Sequence, residues 1–269
     1  MEETMQQKRG QPIVSVLVIL IAVVACALPG QVTQPTPTID LSAMETAAAS
    51  TAQAAATQTE QAIPDTATPR PTGLLKEEQS DGATLFSDYD GGYQIAFPEG
   101  WTVVIPEEGD LSEALSAIPE QEENISKLIE AARSADANNM IRGFGFNLKA
   151  QQGVYTPNIN ISQNTNSLLL AASLKDLVDA TVAYYPSINI EVVSSEVRET
   201  ASGMEMGVIE TQWAMNASGG EKIDLRQKQV MFKSEGGVVI LTFSTVKDAT
   251  VDLTADVNKV IESFKLLDQ

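Results

Sequence analysis

Histidine is absent from all 269 residues. That removes the commonest general base and a common zinc ligand, and with them every Ser-His-Asp or Cys-His nucleophilic set. Cysteine occurs once, at Cys26, so neither an internal disulfide nor a cysteine metal cluster can form. Basic residues are scarce: 17 Lys and Arg stand against 36 Asp and Glu, for a formal net charge of -19. Nucleic-acid phosphates and anionic head groups repel such a chain. No nucleic-acid partner is expected, and membrane contact must come from something other than basic residues. Nor is any apolar run as long as the ~20 residues a spanning helix needs.

The longest apolar run extends from Pro12 to Ala25 and follows Lys8 and Arg9. A short positive region and an apolar stretch of this length read as a secretory signal peptide over residues 1–25. Its end, Val23-Val24-Ala25-Cys26, resembles the bacterial lipobox. The resemblance implies lipid on the Cys26 thiol and cleavage before it, leaving the cysteine as the new N-terminus. Two other readings compete: an uncleaved anchor with an inert Cys26, and an ordinary cleaved signal with a bare thiol. A lone thiol in an exported protein favours modification. Two or three acyl chains anchor durably where one does not. The expected location is the extracytoplasmic face of a cell membrane, with the membrane itself as partner through Cys26.

Residues 26–86 read as a low-complexity spacer. Aromatics are absent from 31–73, and Thr, Ala, Pro and Gln dominate. Such a composition buries too little apolar surface to offset its ordering entropy. Residues 40–63 are rich in alanine and lack Gly and Pro, so a helix is possible there. The boundary with the folded part falls near residues 74–86.

Residues 87–269 carry the core patterns. Tyr93, Ile95 and Phe97 alternate, Pro98-Glu99-Gly100 turns, and Trp101 and Val103 resume the alternation, which predicts a hairpin. Asp110 with Glu113 starts one helical pattern; Pro119 interrupts it, and Ile125, Leu128 and Ile129 resume it. Phe144, Phe146 and Leu148 share one strand face while Gly143 and Gly145 occupy the other, which invites close approach by another element. Residues 158–162 form the expected partner strand. Ser173 and Asp176 suit a capping box for the helix that Pro186 ends. Strands follow around Ile190, around Ile209 to Met215, from Ile223 to Lys233 with an expected bulge, and from Val238 to Phe243. A last helix carries Leu253, Val257, Val260, Ile261 and Phe264 on one stripe. The predicted class is α+β, a mainly antiparallel sheet flanked by helices.

Tyr93, Phe97-Pro98-Glu99-Gly100-Trp101 and the closing Ile261-Glu262-Ser263-Phe264-Lys265 resemble the two edges of PsbP-like domains. The resemblance spans roughly residues 87–267. It implies an antiparallel sheet with flanking helices, in a family that includes small bacterial lipoproteins. That family has no common catalytic motif, so the resemblance carries over no catalytic residue.

The remaining candidates have plain explanations. Asp88-Tyr89-Asp90-Gly91 lacks the third acid and distal glutamate of a calcium loop and reads as a strand-entry turn. Glu107, Glu108 and Asp110 suit a helix N-terminus, and Glu120, Glu122 and Glu123 a solvated face. Trp101 and Trp213 read as core. Tyr185 belongs to a buried stripe, with Tyr184 partly exposed and able to serve an interface. No cofactor, metal or catalytic residue is expected. The chain reads as a non-enzymatic envelope module that binds an unidentified protein or small molecule. The alternatives are a carboxylate-dependent envelope hydrolase and a purely structural envelope component. The first alternative requires two carboxylates converging in a cleft.

Overall fold

The computed structural model describes residues 71–106, 125, 126, 129, 140–153, 155–216 and 222–267. The signal peptide, Val23 to Cys26, residues 40–63 and the acids between Glu107 and Glu123 lie outside the described residues.

Two antiparallel sheets form the frame. The small one holds β1 (Leu74–Glu78), β2 (Thr84–Asp88), β3 (Tyr93–Phe97) and β11 (Lys265–Leu266), in the order β1-β2-β3-β11. The large one holds β4 (Trp101–Val104), β5 (Ile141–Asn147), β6 (Asn158–Asn164), β7 (Glu191–Glu199), β8 (Glu205–Asn216), β9 (Lys222–Ser234) and β10 (Gly237–Val246). Its order is β4-β5-β6-β10-β9-β8-β7. Helices α1 (Ser167–Ala171), α2 (Leu174–Tyr184) and α3 (Thr254–Glu262) complete the α+β architecture predicted above.

The middle of the large sheet is covered on both faces, while the edge strand β7 is mostly exposed. On one face the small sheet and α3 cover that middle: Phe86, Ile95 and Phe97 from above meet Val103, Ile161, Val230 and Leu241 from below, with Val257 and Val260 beside them. On the other face α2 packs Leu174, Leu177 and Val178 against Ile209, Met231 and Ile240. Val104, Phe144 and Phe146 face Ile125 and Ile129 at the β4–β5 end of this second face. Burying one such side chain stabilises by roughly 1.5–3 kcal/mol.

Local sequence explains several elements. Ser173 caps α2: its hydroxyl accepts from the Asp176 N–H at 3.1 Å, and the Asp176 carboxylate accepts in return from the Ser173 backbone. The glycine face of β5 does what its composition invites. A Cβ at Gly143 would lie 2.9 Å from Phe86, and one at Gly145 would lie 2.4 Å from Phe97. The two glycines let the rings of the small sheet seat directly on the large one. At Gly207 the same device admits Val178 of α2, which would lie 2.5 Å from an added Cβ.

Three expectations need correction. Tyr93–Phe97 and Trp101–Val104 are not hairpin partners: β3 pairs with β2 and β11, and β4 pairs with β5. Gly100, at φ 93°, swings the chain from one sheet to the other, so both strands keep their apolar face on the shared core. Among the described residues, β1 and β2 lie inside the stretch read as spacer up to residue 86; Leu74 to Asp88 form a hairpin of their own. Finally, β9 runs in unbroken register with β8 and β10. Its apolar phase changes because Val230 and Phe232 serve one face while Leu225 and Met231, of the opposite parity, are also buried. The bulges fall elsewhere, between Ile141 and Gly143 and between Val192 and Ser194.

Candidate binding cleft

One row of cross-strand neighbours locates the candidate site. Read across the large sheet, the row runs Val103, Gly145, Ile159, Phe243, Lys228, Glu210. Side chains of one row share a face. At the Gly145 end the small sheet closes over it. At the Lys228 end the face turns polar, and a cleft of about 470 Å³ opens between β8, β9 and β10 and the segment leading into α3. Small-molecule sites have volumes of roughly 300–1,000 Å³.

The floor is mixed in character. Lys228 reaches the Glu210 carboxylate at 3.1 Å, and both side chains are partly exposed. Two residues along β9 stands Arg226, opposite Thr245 of β10. Among the described residues Arg226 makes no ion pair, and neither does Lys247 on the rim. The Thr245 hydroxyl is buried without a hydrogen-bond partner. Apolar surface lies alongside: Phe243, half-buried on the floor and 6.3 Å from the Trp101 ring, with Leu253, Val257 and the exposed Val251 along the wall.

The rim acid Asp252 is already engaged. Its carboxylate accepts the Thr254 N–H at 2.9 Å. The Thr254 hydroxyl and this backbone bond hold the Asp252 pKa below the usual carboxylate value. Both acids of the cleft therefore have hydrogen-bond or ion-pair partners, and the lining holds three cations against these two carboxylates.

A second polar cluster lies under the small sheet. Asp88 is fully buried, and Arg142 grips it through two bonds, Nε to Oδ2 at 2.8 Å and Nη2 to Oδ1 at 3.1 Å. The Gly91 N–H donates to the same carboxylate at 2.7 Å. Burial, and next the negative charge of Asp88, push the Tyr93 hydroxyl well above its ordinary pKa. This cluster ties β2 to β5. The Asp88–Gly91 segment is the strand-end turn expected of it, and the ion pair that completes it was not legible in the sequence.

Trp101 is core, as expected. Trp213 is only partly buried and packs against the α2 side. Tyr185 is buried and donates to Gln229 at 2.8 Å, while Tyr184 is half-exposed. Among the described residues no group of three or more acids or cysteines could hold a metal ion, and no helix is long and apolar enough to cross a membrane.

No family model matches the chain, and no curated protein matches it. Solved structures are similar in part. The cyanobacterial PsbP of Synechocystis has 16% identity and a TM-score of 0.44, covering 70% of this chain and 94% of that one. LpqN of Mycobacterium tuberculosis, involved in cell envelope biogenesis, has 13% identity and a TM-score of 0.40, covering 75% of this chain and 100% of that one. A Pseudomonas aeruginosa protein of unknown function, described as a putative regulator, has 15% identity and a TM-score of 0.38, covering 47% and 81%.

Proposed function

We propose that this chain is a lipid-anchored, non-catalytic binding module of the cell envelope, held at the extracytoplasmic face through Cys26 and engaging its partner at the β8–β10 cleft. The observation that carries the reading is the cleft itself. It sets cations and an aromatic ring on a rigid sheet, and its two acids are already occupied. A carboxylate hydrolase needs one acid held protonated and another free to act as base. Asp252 is shifted the wrong way for the first role, and Glu210 is tied to Lys228. These features favour holding a ligand over transforming one.

The tether rests on the order Val23, Val24, Ala25, Cys26 behind an apolar run, with the chain's one cysteine at the required place. The Pro- and Thr-rich stretch after it would give the domain reach from the surface.

Two experiments test the two halves. Cys26→Ala should release the protein from membranes or leave it as an unprocessed precursor; unchanged fractionation and unchanged mass refute the anchor. Purified protein incubated with envelope polysaccharide and peptide should release no product. Turnover that the Glu210→Gln, Asp252→Asn double variant abolishes would establish the hydrolase instead.

A further inference from the structure

We infer that the β8–β10 cleft takes an amphipathic anion: a carboxylate or phosphate head on a single apolar chain. The inference rests on the proposed binding role of the cleft and adds the chemistry of what fills it.

Charge is the first reason. The whole chain has 36 acids and 17 bases, yet the cleft reverses the balance. Arg226, Lys228 and Lys247 line it against Glu210 and Asp252. Glu210 neutralises only Lys228, and Asp252 is turned onto the Thr254 N–H. Arg226 and Lys247 have no ion-pair partner among the described residues. Arg226 and Lys247 are exposed and Asp252 stays ionised, so the lining carries a net positive charge of one, and in so acidic a molecule that concave, locally positive site favours an anion. A guanidinium presents paired donors that match carboxylate or phosphate oxygens. Thr245, opposite Arg226 in the register, adds a buried hydroxyl still lacking a partner.

The apolar wall is the second reason. Phe243 lies on the floor beside Lys228, and Leu253 and Val257 continue the surface toward α3. Below them a gap of about 10 Å³ reaches between Phe243, Val257, Val260 and Ile261. That gap is about the least that can hold one water, and Lys228 is the one lining residue with a polar side chain, where a water needs two to four partners. An inorganic anion would leave this wall wet, and a neutral hydrocarbon would leave Arg226 unanswered. A ligand with both parts satisfies the two ends of one cleft.

The experiment uses the full lipidated chain in zwitterionic nanodiscs and a decanoate analogue that carries a photoreactive diazirine. Cross-linked peptides are mapped by mass spectrometry. Labelling should concentrate on residues 243–257 and be competed by decanoate and by decyl phosphate. Decanol, acetate and inorganic phosphate should compete at least tenfold more weakly. Arg226→Gln should reduce specific labelling roughly ten- to a hundredfold, and Val251→Glu, on the exposed rim, should reduce it without touching the core. Lys175→Gln, on the exposed face of α2, should leave it unchanged. Equal competition by decanol, or full labelling of Arg226→Gln, overturns the anion assignment while leaving a binding cleft in place. Labelling scattered along the chain and indifferent to every variant overturns the cleft as a site altogether.

Discussion

At the β4–β5 end of the large sheet, Phe86 and Phe97 sit directly on Gly143 and Gly145; at the β8–β9 end, on the same face, Lys228 and Arg226 line an open cleft. The two ends belong to one continuous row of neighbours, from Val103 to Glu210. The difference lies in side-chain size and charge. Glycine removes the Cβ that would hold the small sheet away, and each ring then trades water for close packing. Lysine and arginine on the same face cannot be buried without partners, so that end stays open to solvent. A single sheet thus has one half closed by packing and one half left open to solvent.

Raising the pH should produce the largest effect, unfolding the domain as a whole. Tyr93, Tyr155 and Tyr185 are buried, and desolvation raises all three pKa values, that of Tyr155 to about 12. The unfolded chain ionises its tyrosines near pH 10. Each raised pKa therefore contributes stability that is fully present below pH 10 and is lost as the pH climbs through the folded-state value. Alkaline titration followed by tyrosinate absorbance and circular dichroism should show these three ionising only as the domain unfolds. Tyrosine ionisation complete near pH 10 in a still-folded protein would contradict this.

Asp88→Ala comes next. It leaves the Arg142 guanidinium, only 17% exposed, without its carboxylate, and urea unfolding should show a loss of about 3–5 kcal/mol. Gly145→Ala drives a methyl group into the Phe97 ring and should cost about 1–3 kcal/mol; a neutral result would mean that the small sheet can lift away. Ser173→Ala removes the α2 cap, at about 1 kcal/mol, a loss measurable as a lower thermal midpoint. Arg226→Gln, in the open half, should change stability by less than about 0.5 kcal/mol. A large loss there would mean that the cleft is a structural element and would erase the contrast between the halves.

Much of this fold can be read along the chain. The capping box at Ser173, the two-residue alternation of the strands and the amphipathic stripe of α3 are local patterns, set by neighbours a few positions apart. The glycine pair at 143 and 145 signalled a close approach, although not what would approach. Residues 74–88 carry too few apolar side chains to stand out, and Phe86 and Leu74 of their hairpin pack on a core made elsewhere. The split of β3 from β4 was equally hidden, because alternation reports which residues share a face and is silent about which strand lies alongside.

The cleft was the least legible feature. Glu210, Lys228 and Phe243 lie on three strands, and no local signal marks them as neighbours. The amino-acid sequence alone settled the chemistry that histidine and cysteine cannot perform, the acidic balance, and the helices and strands whose periodicity is local. Only the tertiary structure could join Asp88 to Arg142 across 54 positions and leave two cations uncovered beside an aromatic floor. Periodicity is a property of the chain, whereas register and coverage depend on which distant surfaces meet and exclude water.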